Sequence, residues 1–349
     1  MHTKTKITGI AVSVVLLLAL VVWWSVGRNT RSSAPLHEAA VPGDPPRSTR
    51  ALSVVEELRK TLPVLNSEQA TQRILALLDS GRDESTGLGF KLQPDGFLAD
   101  SPTLRVFLLD YLARVDRRAA GEYAKRILKE MRSPDEWAIS LRNYALAFPT
   151  KEGKGFLESK MRELLTHAPW QTDPSAGYLE AFDVAVYVGG NSLVPELSQL
   201  LRRQDNSAVT HAAYLSLDRL TIQQPAELLQ ALLDRPDSME GREATRANLF
   251  ARASAHDPQQ REILERYLLD PQRSAAEASA FAGVFPNANF MLSNNLLTRS
   301  TPPSRAVQEQ EDHEALRMIE DWLSQPRFEA RRPLLEKLQR RMSEALRPR

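Results

Sequence analysis

The chain has 349 residues, 42% hydrophobic, 26% charged and 7% aromatic, with 45 Lys+Arg against 44 Asp+Glu and no cysteine. A length of this order holds two domains or one elongated array and is ample to bury a core. The missing cysteines exclude disulfides, thiolate zinc sites, iron–sulfur clusters, a cysteine nucleophile and a lipid-modified cysteine anchor.

The near-neutral total conceals a division. Residues 1–50 carry six basic groups against Glu38 and Asp44, a balance of +4, which leaves −3 of the net +1 for residues 51–349. That larger part lacks the basic footprint of a nucleic-acid binder. Of the 45 basic residues, 35 are arginine, a bias that points to a GC-rich, bacterial genome.

Residues 1–6 form a short basic tail, and residues 7–26 then run for twenty positions without a charge. A helix of that length, at roughly 1.5 Å per residue, spans about 30 Å, the thickness of a bilayer's hydrocarbon core. Trp23 and Trp24 close the run, where indoles favour the headgroup interface. A cleavable signal peptide has an apolar core of about 7–15 residues followed by small residues. Here the core is longer and ends in two tryptophans, so the expectation is an uncleaved single-pass anchor. A basic tail before an anchor stays in the cytoplasm, which places the chain in the bacterial inner membrane with its C-terminal domain extracytoplasmic, periplasmic in a cell with two membranes. Residues 27–50 contain four prolines and no periodic pattern, and they read as a flexible linker.

From residue 51 the chain is written in helical code. Ser101-Pro102, Ser133-Pro134, Asp173-Pro174 and Asp257-Pro258 each read as an N-cap followed by proline in the first helical turn, with Ser133 and Glu136 forming a capping box. Leu104, Phe107, Leu108, Tyr111, Leu112 and Val115 lie on one helical face. Residues 185–188 (AVYV) alternate like a strand but fit the end of a helix equally well.

One apolar motif of helical spacing recurs: Ile127-Leu128-x-x-Met131, Met161-x-x-Leu164-Leu165, Leu197-x-x-Leu200-Leu201, Leu229-x-x-Leu232-Leu233 and Leu264-x-x-Tyr267-Leu268. Its last anchors are spaced by 34, 36, 32 and 35 residues, and a short polar or proline-containing break follows each. By period and element order, residues 101–297 resemble the HEAT-like and related α-solenoid repeats. The resemblance implies an all-α, right-handed-type solenoid of helix pairs, each burying its face against its neighbours and needing capped ends. An irregular helical array is the alternative. The tetratricopeptide and ankyrin signatures are absent. The expected organisation is a repeat domain over 51–303 and two charged capping helices over 304–349.

Three stretches are candidate partner-binding sites. Residues 81–100, the longest non-helical run, hold four glycines, Phe90 and a Pro94-Asp95-Gly96 turn. Gly87-Leu88-Gly89-Phe90 spells the carboxylate-binding loop of PDZ domains, but the strands that fold requires are missing. Asn287, Asn289, Asn294 and Asn295 surround Phe290, Met291 and Leu292. Their amides can bind a peptide backbone or a sugar, or else cap helices and turns. The C-terminal region is polarised, six acids against Arg317 in 309–321 and eight basic groups against three acids in 326–349. There Arg331, Arg332, Arg340 and Arg341 flank an apolar stripe that suits an acidic partner, anionic lipid or the preceding acidic helix.

No nucleophile elbow, phosphate loop, dinucleotide fingerprint or zinc-protease motif is present. Glu309 and His313 share a helical face, which two groups alone do not turn into a metal site. Glu158-Ser159 matches the dipeptide of helical lytic transglycosylases without the segment that should follow it. The expectation is therefore a membrane-anchored helical-repeat scaffold or adaptor that binds another protein, with no cofactor, metal or nucleic acid. The alternatives are an all-α cell-envelope hydrolase or lyase, and a structural subunit of an envelope complex.

Overall fold

The computed structural model describes residues 47–347. The expected span at 7–26, with Trp23 and Trp24, lies outside the described residues, and no described helix is long and apolar enough to cross a membrane. Helix α1 (Arg47–Thr61) begins inside the last residues of the expected linker. Helix α2 (Ser67–Asp79) opens on a full capping box, in which Asn66 accepts from the Gln69 amide at 2.9 Å and the Gln69 side chain accepts from the Asn66 amide.

A hairpin of β1 (Lys91–Leu92) and antiparallel β2 (Leu98–Asp100) interrupts the helices and contains the only strands among the described residues. Helices then follow in pairs. The first two are α3 (Leu104–Val115) with α4 (Arg117–Ile127), and α5 (Pro134–Ala147) with α6 (Lys151–Thr166). After the short α7 (Ala168–Thr172), α8 (Ala176–Glu180) and α9 (Phe182–Val188) pair with α10 (Val194–Leu201). Next come α11 (Ser207–Gln223) with α12 (Pro225–Leu233), and α13 (Glu243–Phe250) with α14 (Pro258–Leu269). Helix α15 (Ala275–Val284) leads into an irregular segment of about twenty residues, and α16 (Arg305–Ser324) and α17 (Arg332–Ala345) close the chain.

The first helices of successive pairs form one row, α3 on α5, α5 on α8, α9 on α11, α11 on α13 and α13 on α15. Second helices stack likewise, α6 on α10 and α12 on α14. The all-α class is therefore correct, and the packing is compatible with a helical repeat. The recurring apolar motif occupies the last turns of α6, α10, α12 and α14, and its first copy runs from the last residue of α4 into the turn beyond; Leu128, Leu165, Leu201, Leu232 and Leu268 are buried. Residues 185–188 end α9 as helix. The stripe Leu335, Leu338 and Met342 of α17 is buried, and α17 packs on α15 and α16.

Two predicted caps lie elsewhere. Thr103, not Ser101, accepts the Val106 amide at the start of α3, and Asp173 ends α7 while Ser175 caps α8. Ser133 caps α5 as expected, but no capping box closes, because the Glu136 carboxylate turns to the Arg105 guanidinium, at 2.8 and 3.1 Å. A bidentate guanidinium outcompetes a single backbone amide.

Several junctions between first-row helices carry buried ion pairs about one repeat apart, while at the α5–α8 junction Asp135 accepts instead from the Ser175 hydroxyl and the Gly177 amide. Arg142 on α5 meets Asp110 on α3 at 2.5 Å, Arg219 on α11 meets Asp183 on α9 at 2.8 Å, and Arg252, just past α13, forks onto Asp218 of α11 at 2.8 Å on both oxygens. The sequence separations are 32, 36 and 34. Arg246 on α13 repeats the fork with Glu277 on α15 at 2.8 and 2.6 Å, and Tyr267 adds a hydrogen bond to the same carboxylate. Arg142 is fully buried, and burial pulls its pKa down against the opposing pull of Asp110.

Removing one partner of such a pair strands the other in the core, at a cost of about 3–5 kcal/mol. Arg142→Met is expected to lose stability of that order in urea denaturation, with much of it recovered when Asp110→Asn is added. A loss below about 1 kcal/mol would show that the pair does not hold α3 to α5.

Candidate functional site

Two segments without helix, one carrying the hairpin and one following α15, come together on the face of the first-row helices. The second, residues 285–304, opens on a cis Phe285–Pro286 peptide bond and runs back along the row against the order of the repeats. It begins at α13, where the Asn287 amide N–H bonds the Ala251 carbonyl at 2.7 Å and its side chain bonds the Asn248 carbonyl. Arg252 donates to the carbonyls of Asn287 and Asn289, at 2.9 and 2.5 Å. Phe290 and Met291 then pass beside Leu215, Arg219 and Ile222 of α11. The backbone amides of Leu297 and Thr298 donate to Asp183, at 2.7 and 3.0 Å, while the Thr298 hydroxyl bonds both Asp183 and Arg219. Residues 287–298 thus form a strap across α13, α11 and α9.

The strap reaches the hairpin at its far end. Asn294 donates to the Leu92 carbonyl at 3.1 Å, and the hairpin tip at Gly96 meets the Leu296 carbonyl so closely that a Cβ on Gly96 would collide with it. Gly96 also has φ +83, so both the turn and the contact require glycine. The hairpin is fixed from below in the same manner as the strap, for the Gly96 carbonyl accepts from Arg142 at 2.9 Å and the Leu98 amide donates to Asp110 at 3.1 Å. Each Asp–Arg pair therefore does two jobs, joining adjacent helices and holding irregular backbone.

The sequence-chosen residues divide accordingly. Asn287 and Asn295 are buried, with their side chains bonded within the chain, Asn295 to Ser293. Asn289 is exposed, its amide N–H donating to the Asn287 side chain. Asp95 accepts from the Phe97 amide in the hairpin turn and faces Arg114 at 3.5 Å, and Phe90 is half-buried against the core. Arg331 donates to the carbonyls of Leu268 and Asp270 beyond the end of α14, and Arg341 to those of Gly283 and Phe285 at the end of α15, where a cation suits the helix dipole. Arg332 pairs with Glu329, and Arg340 is exposed. The hairpin and asparagine segments are brought together, while the arginines of 331–341 lie on or just before the last helix, Arg341 reaching the Phe285 carbonyl where the asparagine segment begins.

Between its two clamps the strap projects apolar side chains. Five large hydrophobic residues stand out to solvent among those described, and four belong to the strap or its flanks: Leu292 at 71%, Met291 at 56%, Val307 at 49% and Ile222 at 40%. On the α16 side lies an open cleft of about 370 Å³, walled by Ile222, Pro225, Phe290, Pro303 and Val307, with Glu311 and Asp312 on its rim. Sequence reasoning missed Ile222, Val307 and the Asp–Arg pairs. The available signal was a charged residue within an apolar helical run, as in Leu108-Leu109-Asp110 and Leu217-Asp218-Arg219.

One titratable group near the strap is strongly shifted. Burial, helped by the charge of Asp183 and opposed by Arg219, raises the Glu180 carboxyl to about 7. Among the described residues the Glu180 carboxyl makes no hydrogen bond, and it does not line the cleft beside the strap. No group of carboxylates and histidines among the described residues could hold a metal ion. No protein-family model, curated protein or solved structure matches the chain.

Two expectations test this description. Gly96→Ala is expected to cost about 1–3 kcal/mol and to speed hydrogen exchange of the Leu297 and Thr298 amides, since the strap must lift to admit the methyl group; unchanged exchange would refute the contact. The raised Glu180 carboxyl adds stability that is complete below about pH 4.5 and is lost as pH rises through about 7. Glu180→Gln should flatten that dependence and raise the melting temperature at pH 8, by the equivalent of roughly 2 kcal/mol. A wild-type melting temperature that does not fall between about pH 5 and pH 8 relative to the variant would contradict it.

Proposed function

We propose that the chain is a membrane-anchored scaffold of the HEAT-like α-solenoid type, held in a bacterial inner membrane by residues 7–26, with its helical domain extracytoplasmic and engaged with a protein partner. The observation that carries this reading is the apolar knuckle at Met291 and Leu292, exposed between two backbone clamps and flanked by Ile222 and Val307. Monomeric surfaces seldom gather apolar side chains in one place unless something binds there. The clamps add a second argument: a fixed segment loses little conformational entropy on docking, so more of its contact energy appears as affinity. The enzyme alternative lacks comparable support, because Glu180 stands apart from the clefts.

A photoreactive amino acid at Leu292, introduced into the full chain in cells, is expected to form a discrete adduct with one partner. The same group at Val64, exposed at 81% but far from the strap in sequence, serves as the control and should form none. Equal labelling from both positions, or none from Leu292, would remove the basis for the reading.

A further inference from the structure

The cleft beside the strap constrains what a partner must present. Its walls include Ile222, Phe290 and Val307 with three prolines, and α16 borders it. Of the two rim acids, Glu311 takes only the Ser254 hydroxyl, at 2.9 Å from each oxygen. Asp312 has no hydrogen bond or ion pair among the described residues. Arg252, which also lines the cleft, is neutralised by Asp218 and committed to two strap carbonyls. Arg341 acts on Asp312 through space, but its bonds go to the carbonyls of Gly283 and Phe285. The cleft is thus apolar within and negative at its edge.

An apolar side chain entering between Ile222 and Val307 removes surface from water on both partners. A cation one or two positions along the same segment would meet Asp312 and Glu311 at a partly dehydrated rim, where attraction exceeds that between fully exposed charges. An acidic segment would meet repulsion in the same place. Resting on the partner-binding reading above, we infer that this cleft receives a segment of a partner protein in which a large apolar side chain neighbours a lysine or arginine.

Fluorescence anisotropy with the full chain in neutral detergent tests this, using a short labelled peptide of leucine and lysine, its glutamate-for-lysine counterpart and its serine-for-leucine counterpart. The leucine–lysine peptide is expected to bind saturably, and the other two are not. Ile222→Ser and Val307→Ser should each weaken binding about tenfold, as expected for removing one well-buried apolar contact. Asp312→Asn should weaken it about threefold, and added salt should erase the difference between Asp312→Asn and wild type. Both hydrophobic positions are exposed, so these variants keep the fold, which circular dichroism verifies. Absence of saturable binding, equal binding of the glutamate peptide, or indifference to both serine variants would overturn the inference. If the peptides fail while the Leu292 adduct forms, the partner reading stands and only its chemistry falls; if both fail, both fall.

Discussion

The architecture turns on the buried pairing of an aspartate on one first-row helix with an arginine on the next. Taking both charges out of water is costly, and the pair repays that cost only when every remaining donor and lone pair finds a partner. Here they do. Arg142 serves Asp110, the Asn143 side chain and the Gly96 carbonyl, and Asp110 also takes the Leu98 amide. Asp183 takes Arg219 and two strap amides, while Arg252 takes Asp218 and two strap carbonyls. The helices can therefore keep their charges because the irregular segments satisfy them, and the irregular segments lie still because the charges are there.

This mutual dependence explains how two stretches some two hundred residues apart are held together. Neither contains a ladder long enough to order itself, since the hairpin pairs only two or three residues per strand. Backbone groups pressed onto a helical face need hydrogen-bond partners there, and an ordinary apolar face offers none. A face carrying Asp–Arg pairs at three of its helix junctions offers an acceptor and a donor at intervals, which suits extended backbone that alternates amide and carbonyl. Gly96 completes the arrangement by letting the hairpin tip approach the Leu296 carbonyl without a side chain between them.

How much of this was legible in the sequence depends on range. The leucine-rich anchors were readable because burying one helical stripe is a local property, and four of the five fall in the last turns of second-row helices, the first just past the end of one. Caps were less so. Ser101-Pro102 and Asp173-Pro174 have the right chemistry, but the chain starts its helices at Thr103 and Ser175, and Glu136 abandons the capping box for Arg105 on another helix. The asparagines at 287 and 295 read as binding groups or as caps and turn formers; in the fold the Asn287 amide ties the strap to α13, and the Asn295 amide closes a turn within the strap on Ser293. Asp110, Arg142 and Asp183 left only a faint trace, because a lone charge in a helix is ordinarily solvent-facing and its partner is a repeat away. The strap's course over the helices could not be read from residues 285–304, which encode no periodicity; it follows from where the helices place their charges.

The same pairing of charges bears on the partner-binding proposal. Catalysis needs polar groups whose valences are free and aimed into a cavity. In this chain the well-buried aspartates and arginines of the first row are directed to neighbouring helices and to backbone, and the one strongly shifted acid, Glu180, faces no larger cleft. What stays unsatisfied at the surface is apolar area at Ile222, Met291, Leu292 and Val307, with Asp312 at its margin. Covering those side chains with a second protein, as proposed above, would remove apolar area from water, and the rigidity imposed by the Asp–Arg pairs would lower the entropy lost in docking. The buried charges are in this sense the foundation of an exposed hydrophobic surface, since the strap would have no fixed shape to offer without them.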